Sequence, residues 1–259
     1  NRDVWPLMRL PDCIAAGCLA FAVCIVAVPA LAQPLEAEQC VAPLELRHFS
    51  LPLPRAAAHI RAGQPLTIVA IGSSSTAGWG ASSQANSYPS QLASNLRERY
   101  PNLAIRVLNR GVGGETAPQM LARFDHDVFE YHPDLVIWQV GTNALIRGDD
   151  LNRDAEVIRQ GLQRLHDAGI DVVVMNPQYA PKVTIYPNHL EIIGDINEVC
   201  AKQHVAVFHR FEIMRHWVVD RQRPFTALLA PDQLHMNDFS YGCIARLLAD
   251  AIVAAAEGE

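Results

Sequence analysis

Lysine is almost missing from this chain. Lys182 and Lys202 are the only two among 21 Lys and Arg residues, set against 27 Asp and Glu. The net charge of −6 and the lack of any basic run exclude a nucleic-acid surface, which needs clustered cations to meet phosphates. No G-x-x-x-x-G-K-[ST] occurs, so there is no P-loop. Gly111-Val-Gly113-Gly114 stops short of a G-x-G-x-x-G turn because position 116 is Thr, which excludes a dinucleotide fingerprint. A G-x-S-x-G elbow would need Gly at position 76, where Thr76 stands, so the α/β-hydrolase arrangement is disfavoured. Neither H-E-x-x-H nor paired C-x-x-C is present, and no metal or other cofactor is expected. Internal repeats and low-complexity tracts are also missing.

The N-terminus is the most apolar part. Ile14 to Val28 forms an uninterrupted run, followed by Pro29 and the A-x-A pattern Ala30-Leu31-Ala32, with Arg9 supplying a positive start. Residues 1–32 therefore read as a signal peptide. Within them, residues 1–7 read as an over-extended start, since Met8-Arg9 would open an ordinary leader. A retained membrane anchor is the alternative, because the run nearly reaches spanning length. Cleavage removes Cys13, Cys18 and Cys24 and leaves Cys40, Cys200 and Cys243. Export to an oxidising compartment permits one disulfide, which we expect to join Cys40 to Cys200 or Cys243. Arg2 and Arg9 cancel Asp3 and Asp12, so the mature protein stays acidic.

About 225 residues remain, enough for one domain with a full core. Residues 33–65 contain prolines and read as an N-terminal extension with a short helical piece at 55–61. Beyond them, apolar runs at 66–71, 103–108, 134–140, 172–175 and 204–208 read as strands. Amphipathic stretches at 87–100, 151–168, 188–203 and 239–255 read as helices. Strands and helices alternating over this length predict an α/β fold, a parallel sheet covered by helices on both faces.

Short polar motifs follow the strands. Gly72-Ser73-Ser74-Ser75-Thr76-Ala77-Gly78 comes after the first, Asn109 to Thr116 after the second, and Gly141-Thr142-Asn143 after the third; Asp232-Gln-Leu-His235 precedes the last helix. Open parallel sheets bind ligands at the edge where such motifs gather. In this order the motifs resemble those of the SGNH hydrolases, the GDSL-type lipases and esterases, over residues 66–259. The resemblance implies a flavodoxin-like three-layer α/β/α sandwich with a parallel sheet of roughly five strands. It implies Ser74 as nucleophile, His235 as general base and Asp232 as the carboxylate that orients it. The backbone N–H groups of Ser74 and Gly114 and the side-chain amide of Asn143 would form the oxyanion hole.

Two positions depart from the family pattern: Ser73 replaces an Asp, and Ala144 stands where Asp is frequent. A serine hydroxyl can also make turn hydrogen bonds, so the Ser73 change leaves the triad reading intact. Plainer roles stand beside the functional ones. Asn143 is also suited to cap a helix, and the glycines to form a flexible turn. Gln178 and Tyr179 suit either a pocket wall or the core, and Trp79 either an acyl pocket or a cover for the core. His126, His132, His204, His209 and His216 fit no metal-ligand template and read as surface residues. The resulting expectation is an exported serine esterase, periplasmic or secreted, acting on short acyl or O-acetyl esters, including those of glycans. Alternatives are an acyltransferase with the same triad and a non-catalytic glycan-binding module. No nucleic-acid partner is expected.

Overall fold

The computed structural model describes residues 40–258. The leader, its cleavage pattern and the first residues of the N-terminal extension lie outside them.

Five parallel strands build one sheet: β1 (Leu66–Gly72), β2 (Ile105–Gly111), β3 (Leu135–Gln139), β4 (Asp171–Met175) and β5 (Ala206–Phe208), in the order β2-β1-β3-β4-β5. This is the flavodoxin-like order, which places a topological switch point between β1 and β3. The central strands are continuous apolar runs because helices cover both of their faces. Every residue of β3 is buried, as is all of β1 except Thr67. The edge strand β2 is only half-buried and carries charge at Arg106 and Arg110.

Five longer helices form the outer layers: α1 (Pro54–Ala62), α2 (Tyr88–Arg99), α3 (Leu151–Asp167), α4 (His189–Lys202) and α5 (Asp238–Glu257). One layer packs α5 against α1 and α2, and the other pairs α3 with α4. Asp150 caps α3 by accepting from Arg153 N at 3.2 Å, and Ile158, Leu162 and Leu165 turn its apolar stripe inward. Asn237 caps α5 through Ser240 N at 3.1 Å. Among the described residues, α5 is the one helix long and apolar enough to cross a membrane, but most of it is buried in the core.

The described part of the N-terminal extension is tied to the same core. Arg55 Nε donates to Asp134 at 3.0 Å, Ala56 N to Asp171 at 2.9 Å and Trp217 Nε1 to Val41 O at 3.0 Å. A disulfide joins Cys40 to Cys243 on α5, 203 residues away, which decides between the two expected pairings. Closing so long a loop contributes about 5 kcal/mol in the chain-entropy picture. Cys200 is a buried free thiol, and burial pushes it up to about 12.

Two strands differ from the expected ranges by more than one residue at an end. β2 begins later and runs through Asn109 to Gly111, because its pairing with β1 continues to the register Gly72–Gly111. β5 is shorter because His204 takes a left-handed conformation (φ 53°) and belongs to the preceding turn.

Candidate active site

β1 ends at Gly72, where packing leaves no space for a side chain. A Cβ there would come within 2.2 Å of Thr76 Oγ1 and 2.8 Å of Gln139 Oε1. The chain then turns into one short helical segment, Ser74–Ala77, closed by Gly78 at φ 94°. Ser73 stands at its N-cap, and Gln139 Oε1 gathers Ser73 N at 2.9 Å, Ser73 Oγ at 3.0 Å and Thr76 Oγ1 at 3.3 Å. An Asp at this position, as in the motif that the sequence resembles, would bring a second acceptor toward that oxygen. A hydroxyl donates instead, so Ser73 and Gln139 form a matched pair.

Ser74 is buried, and its Oγ lies 2.7 Å from His235 Nε2. His235 Nδ1 lies 2.5 Å from Asp232 Oδ2. The other carboxylate oxygen of Asp232 accepts from Leu234 N at 3.0 Å and His235 N at 2.9 Å. One carboxylate thus closes its own turn and holds the ring, which is what the i−3 spacing makes possible. Burial pushes the Asp232 carboxyl up, but the His235 ring and these two N–H groups outweigh it and hold it below its ordinary value. A charged carboxylate at Nδ1 requires the proton there, leaving Nε2 to accept from the Ser74 hydroxyl. The structure therefore joins Ser74, His235 and Asp232 in one chain of hydrogen bonds.

The glycine loop after β2 lies against the same turn. Val112 N donates to Gly72 O at 3.0 Å, and a Cβ on Gly111 would fall 2.1 Å from Ala77 N. Gly114 is left-handed (φ 81°), and its carbonyl accepts from Arg147 Nη2 at 2.5 Å. Asn143 Nδ2 donates to Glu115 O at 2.8 Å, which keeps one amide hydrogen occupied and one spare. Asn143 is not a cap: the N-cap of its helix, Thr142–Arg147, is Gly141. The N–H groups of Ser74 and Gly114 donate to no acceptor among the described residues.

Gln178 and Tyr179 are structural. Gln178 is buried, accepts from Thr142 Oγ1 and Arg210 Nη2 at 3.0 Å each, and donates to Leu234 O at 3.1 Å. It thereby links the neighbours of Asn143 and His235. Tyr179 packs on Phe211 and Phe225. Trp79 does not cover the core; it is exposed. His126, His132 and His204 are exposed, whereas His209 and His216 are half-buried beside Glu212 and Asp220. No group of metal-ligating side chains occurs among the described residues.

Sequence reasoning missed Gln139, Arg210 and Tyr241. Gln139 had a signal, being a lone amide inside the otherwise apolar run 135–140. Arg210 is fully buried, donates to Asn176 O at 3.0 Å, and is pushed down to about 10 by burial against the opposing influence of Tyr241 and Tyr88. Tyr241 OH donates to Trp79 O at 2.8 Å.

The model of the Non-GDSL lipase-like family matches residues 39–258. The chain belongs to that family. Its name suits a chain that reads Gly-Ser-Ser-Ser where G-D-S-L would stand. This Non-GDSL lipase-like chain is 38% identical over 64 residues to an acetylxylan esterase of Geobacillus stearothermophilus, which is 25% of this chain and 29% of that relative. The match thus spans under a third of the curated relative's length.

Among solved structures, a two-domain esterase (CEX) active on acetylated mannans, crystallised with mannopentaose, superposes with TM-score 0.68 at 18% identity. That match covers 82% of this chain and 56% of the esterase. The acetylxylan esterase Axe2 of Geobacillus stearothermophilus superposes with TM-score 0.62 at 20% identity, over 72% of this chain and 94% of Axe2. At these identities the likeness is one of fold.

Proposed function

We propose that this protein is an exported serine esterase of the SGNH type that removes short acyl groups, foremost O-acetyl groups on glycans. The observation that carries the reading is the continuous relay from Asp232 through His235 to Ser74, at 2.5 and 2.7 Å. Ser74 Oγ attacks the ester carbonyl while its proton passes to His235 Nε2. The oxyanion is met by the free N–H groups of Ser74 and Gly114 and the spare amide hydrogen of Asn143. Collapse expels the alcohol, protonated by His235, and leaves the acyl group on Ser74. Water, deprotonated by His235, then releases the carboxylic acid and restores the serine.

The acetylxylan and acetylated-mannan esterases among the similar proteins support an acetylated glycan as substrate. The Cys40–Cys243 disulfide and the leader pattern support export. The complete relay disfavours a binding module, and the Ser73–Gln139 pairing removes the main reason for suspecting one.

The test is acetate release from acetylated xylan by the wild type and by Ser74→Ala. We expect the variant to stay folded and lose turnover. Full activity in the variant would refute Ser74 as nucleophile, and acetyl transfer to a sugar hydroxyl in preference to water would make the enzyme a transferase.

A further inference from the structure

Trp79 differs from the other described tryptophans. Trp138 and Trp217 are fully buried, whereas Trp79 is 57% exposed. It is nonetheless held firmly. Its backbone N–H donates to Ser74 O at 3.0 Å, and its backbone carbonyl accepts from Tyr241 OH at 2.8 Å. The next residue, Gly80 (φ 88°), fits beneath the His235 loop only because it has no Cβ, which would lie 2.6 Å from Met236 O and 2.8 Å from His235 Cβ. One edge of the indole rests on Gly113, where a Cβ would come within 2.7 Å of Trp79 Cζ2. The ring centroid lies 5.7 Å from that of His235, with the planes tilted by 51°. Val112, next to Gly113, is 44% exposed. An aromatic face is thus kept in water at the rim of the relay, on a backbone fixed to the Ser74 turn.

The chemistry says which half of the substrate meets it. The leaving oxygen takes its proton from His235 Nε2, so the alcohol half must sit on the His235 side. The acyl half stays on Ser74 when the alcohol leaves. A flat, half-exposed indole suits a partner with one apolar face and polar edges that remain in water. A pyranose ring, with C–H bonds on its face and hydroxyls around its rim, has that character.

We propose that Trp79 is a sugar platform: it stacks on the face of the pyranose that bears the acyl ester and sets the enzyme's preference for a glycan alcohol. The proposal rests on the esterase reading for its orientation, but the platform can be tested by binding alone.

Ser74→Ala and Ser74→Ala/Trp79→Ala are titrated with acetylated xylo-oligosaccharide by calorimetry. We expect the first to bind and the second to lose affinity about tenfold or more, with Ser74→Ala/Trp79→Phe recovering most of it. In the active enzyme, Trp79→Ala should lower the ratio of kcat/KM on the oligosaccharide to that on ethyl acetate by about tenfold, mainly through KM. Unchanged affinity in the double variant, or no binding by Ser74→Ala, would overturn the platform. So would equal losses on both esters, since Trp79 would then only be supporting His235. Trp79-dependent binding without ester turnover in the wild type would sustain the platform and overturn the esterase reading instead.

Discussion

Ser74 and His235 meet at 2.7 Å but arrive there by opposite means. Ser74 follows a fully buried strand end and is fixed by the core, through Gln139, the close approach of Gly72 and Gly111, and the hydrogen bonds of its own turn. His235 sits on a loop that fixes itself. Ala230 N donates to His235 O at 2.8 Å, Gln233 takes a left-handed conformation, and the Asp232 carboxylate, 42% exposed, binds the ring and two N–H groups. Gln178 supplies the link from that loop to the interior. On the proposed reading, the nucleophile is held by long-range packing while its base is held by a four-residue motif. Damage to the two halves should therefore look different.

The largest effect is expected from the base. His235→Ala should lower kcat/KM by about 10⁴-fold or more with little change in thermal stability, and adding Ser74→Ala should cost little further, because the relay acts as a unit. Acetate-release kinetics on the single and double variants test this.

Asp232→Asn should cost about 10⁴-fold in kcat, since the ring loses its orienting charge. Its carboxyl titrates lower in the folded protein than in the unfolded chain, so its stabilisation is present above the unfolded value, about 4, and lost as pH falls through the folded one. Urea unfolding of wild type and variant should accordingly differ at pH 6 and converge as pH falls through the folded value.

On the core-held side, Gln139→Leu should damage both properties. It strands the buried N–H and hydroxyl donors of Ser73, at about 1–3 kcal/mol for each left unpaired, while Thr76 keeps Tyr88 OH, and kcat should fall about 10- to 100-fold as Ser74 shifts. Calorimetric melting beside steady-state kinetics would show whether the two losses travel together. Loss of activity without loss of stability would break the comparison.

The smallest expected change lies outside both halves. Burial, with help from Asp149 and against a hydrogen bond from Ala117, pushes Asp154 up to about 6, and its Oδ2 has no partner. Because the folded value is the higher one, the ionised form is disfavoured in the fold, and stability falls as pH rises from about 4 to about 6. Asp154→Asn should therefore stabilise at pH 8 by at most about 3 kcal/mol, with no gain near pH 4 and no change in activity. Denaturant titrations at the two pH values check it.

These contrasts also explain what was legible in the sequence. The fold could be read because burial on both faces forces β1, β3 and β4 into apolar runs, and because the stretches between them are amphipathic at helical spacing. The His235 half was legible because Asp232-x-x-His235 is complete within four residues. The core-held half was legible only at Ser74. Its support Gln139 left only the faint signal of an amide in an apolar run, and Arg210 and Tyr241 act across tens of residues of chain, leaving no local spacing to detect. Asn143 could be singled out by its place after β3, but its partner Glu115 O, 28 residues earlier, could not.

The central claim is that Ser74 is the nucleophile activated by His235 and Asp232. Its most direct test is to treat the folded protein with a fluorophosphonate and map the adduct by mass spectrometry. The account predicts one adduct on Ser74, formed far more slowly in His235→Ala. An adduct on another residue, or an unlabelled Ser74 in folded wild-type protein, would contradict it.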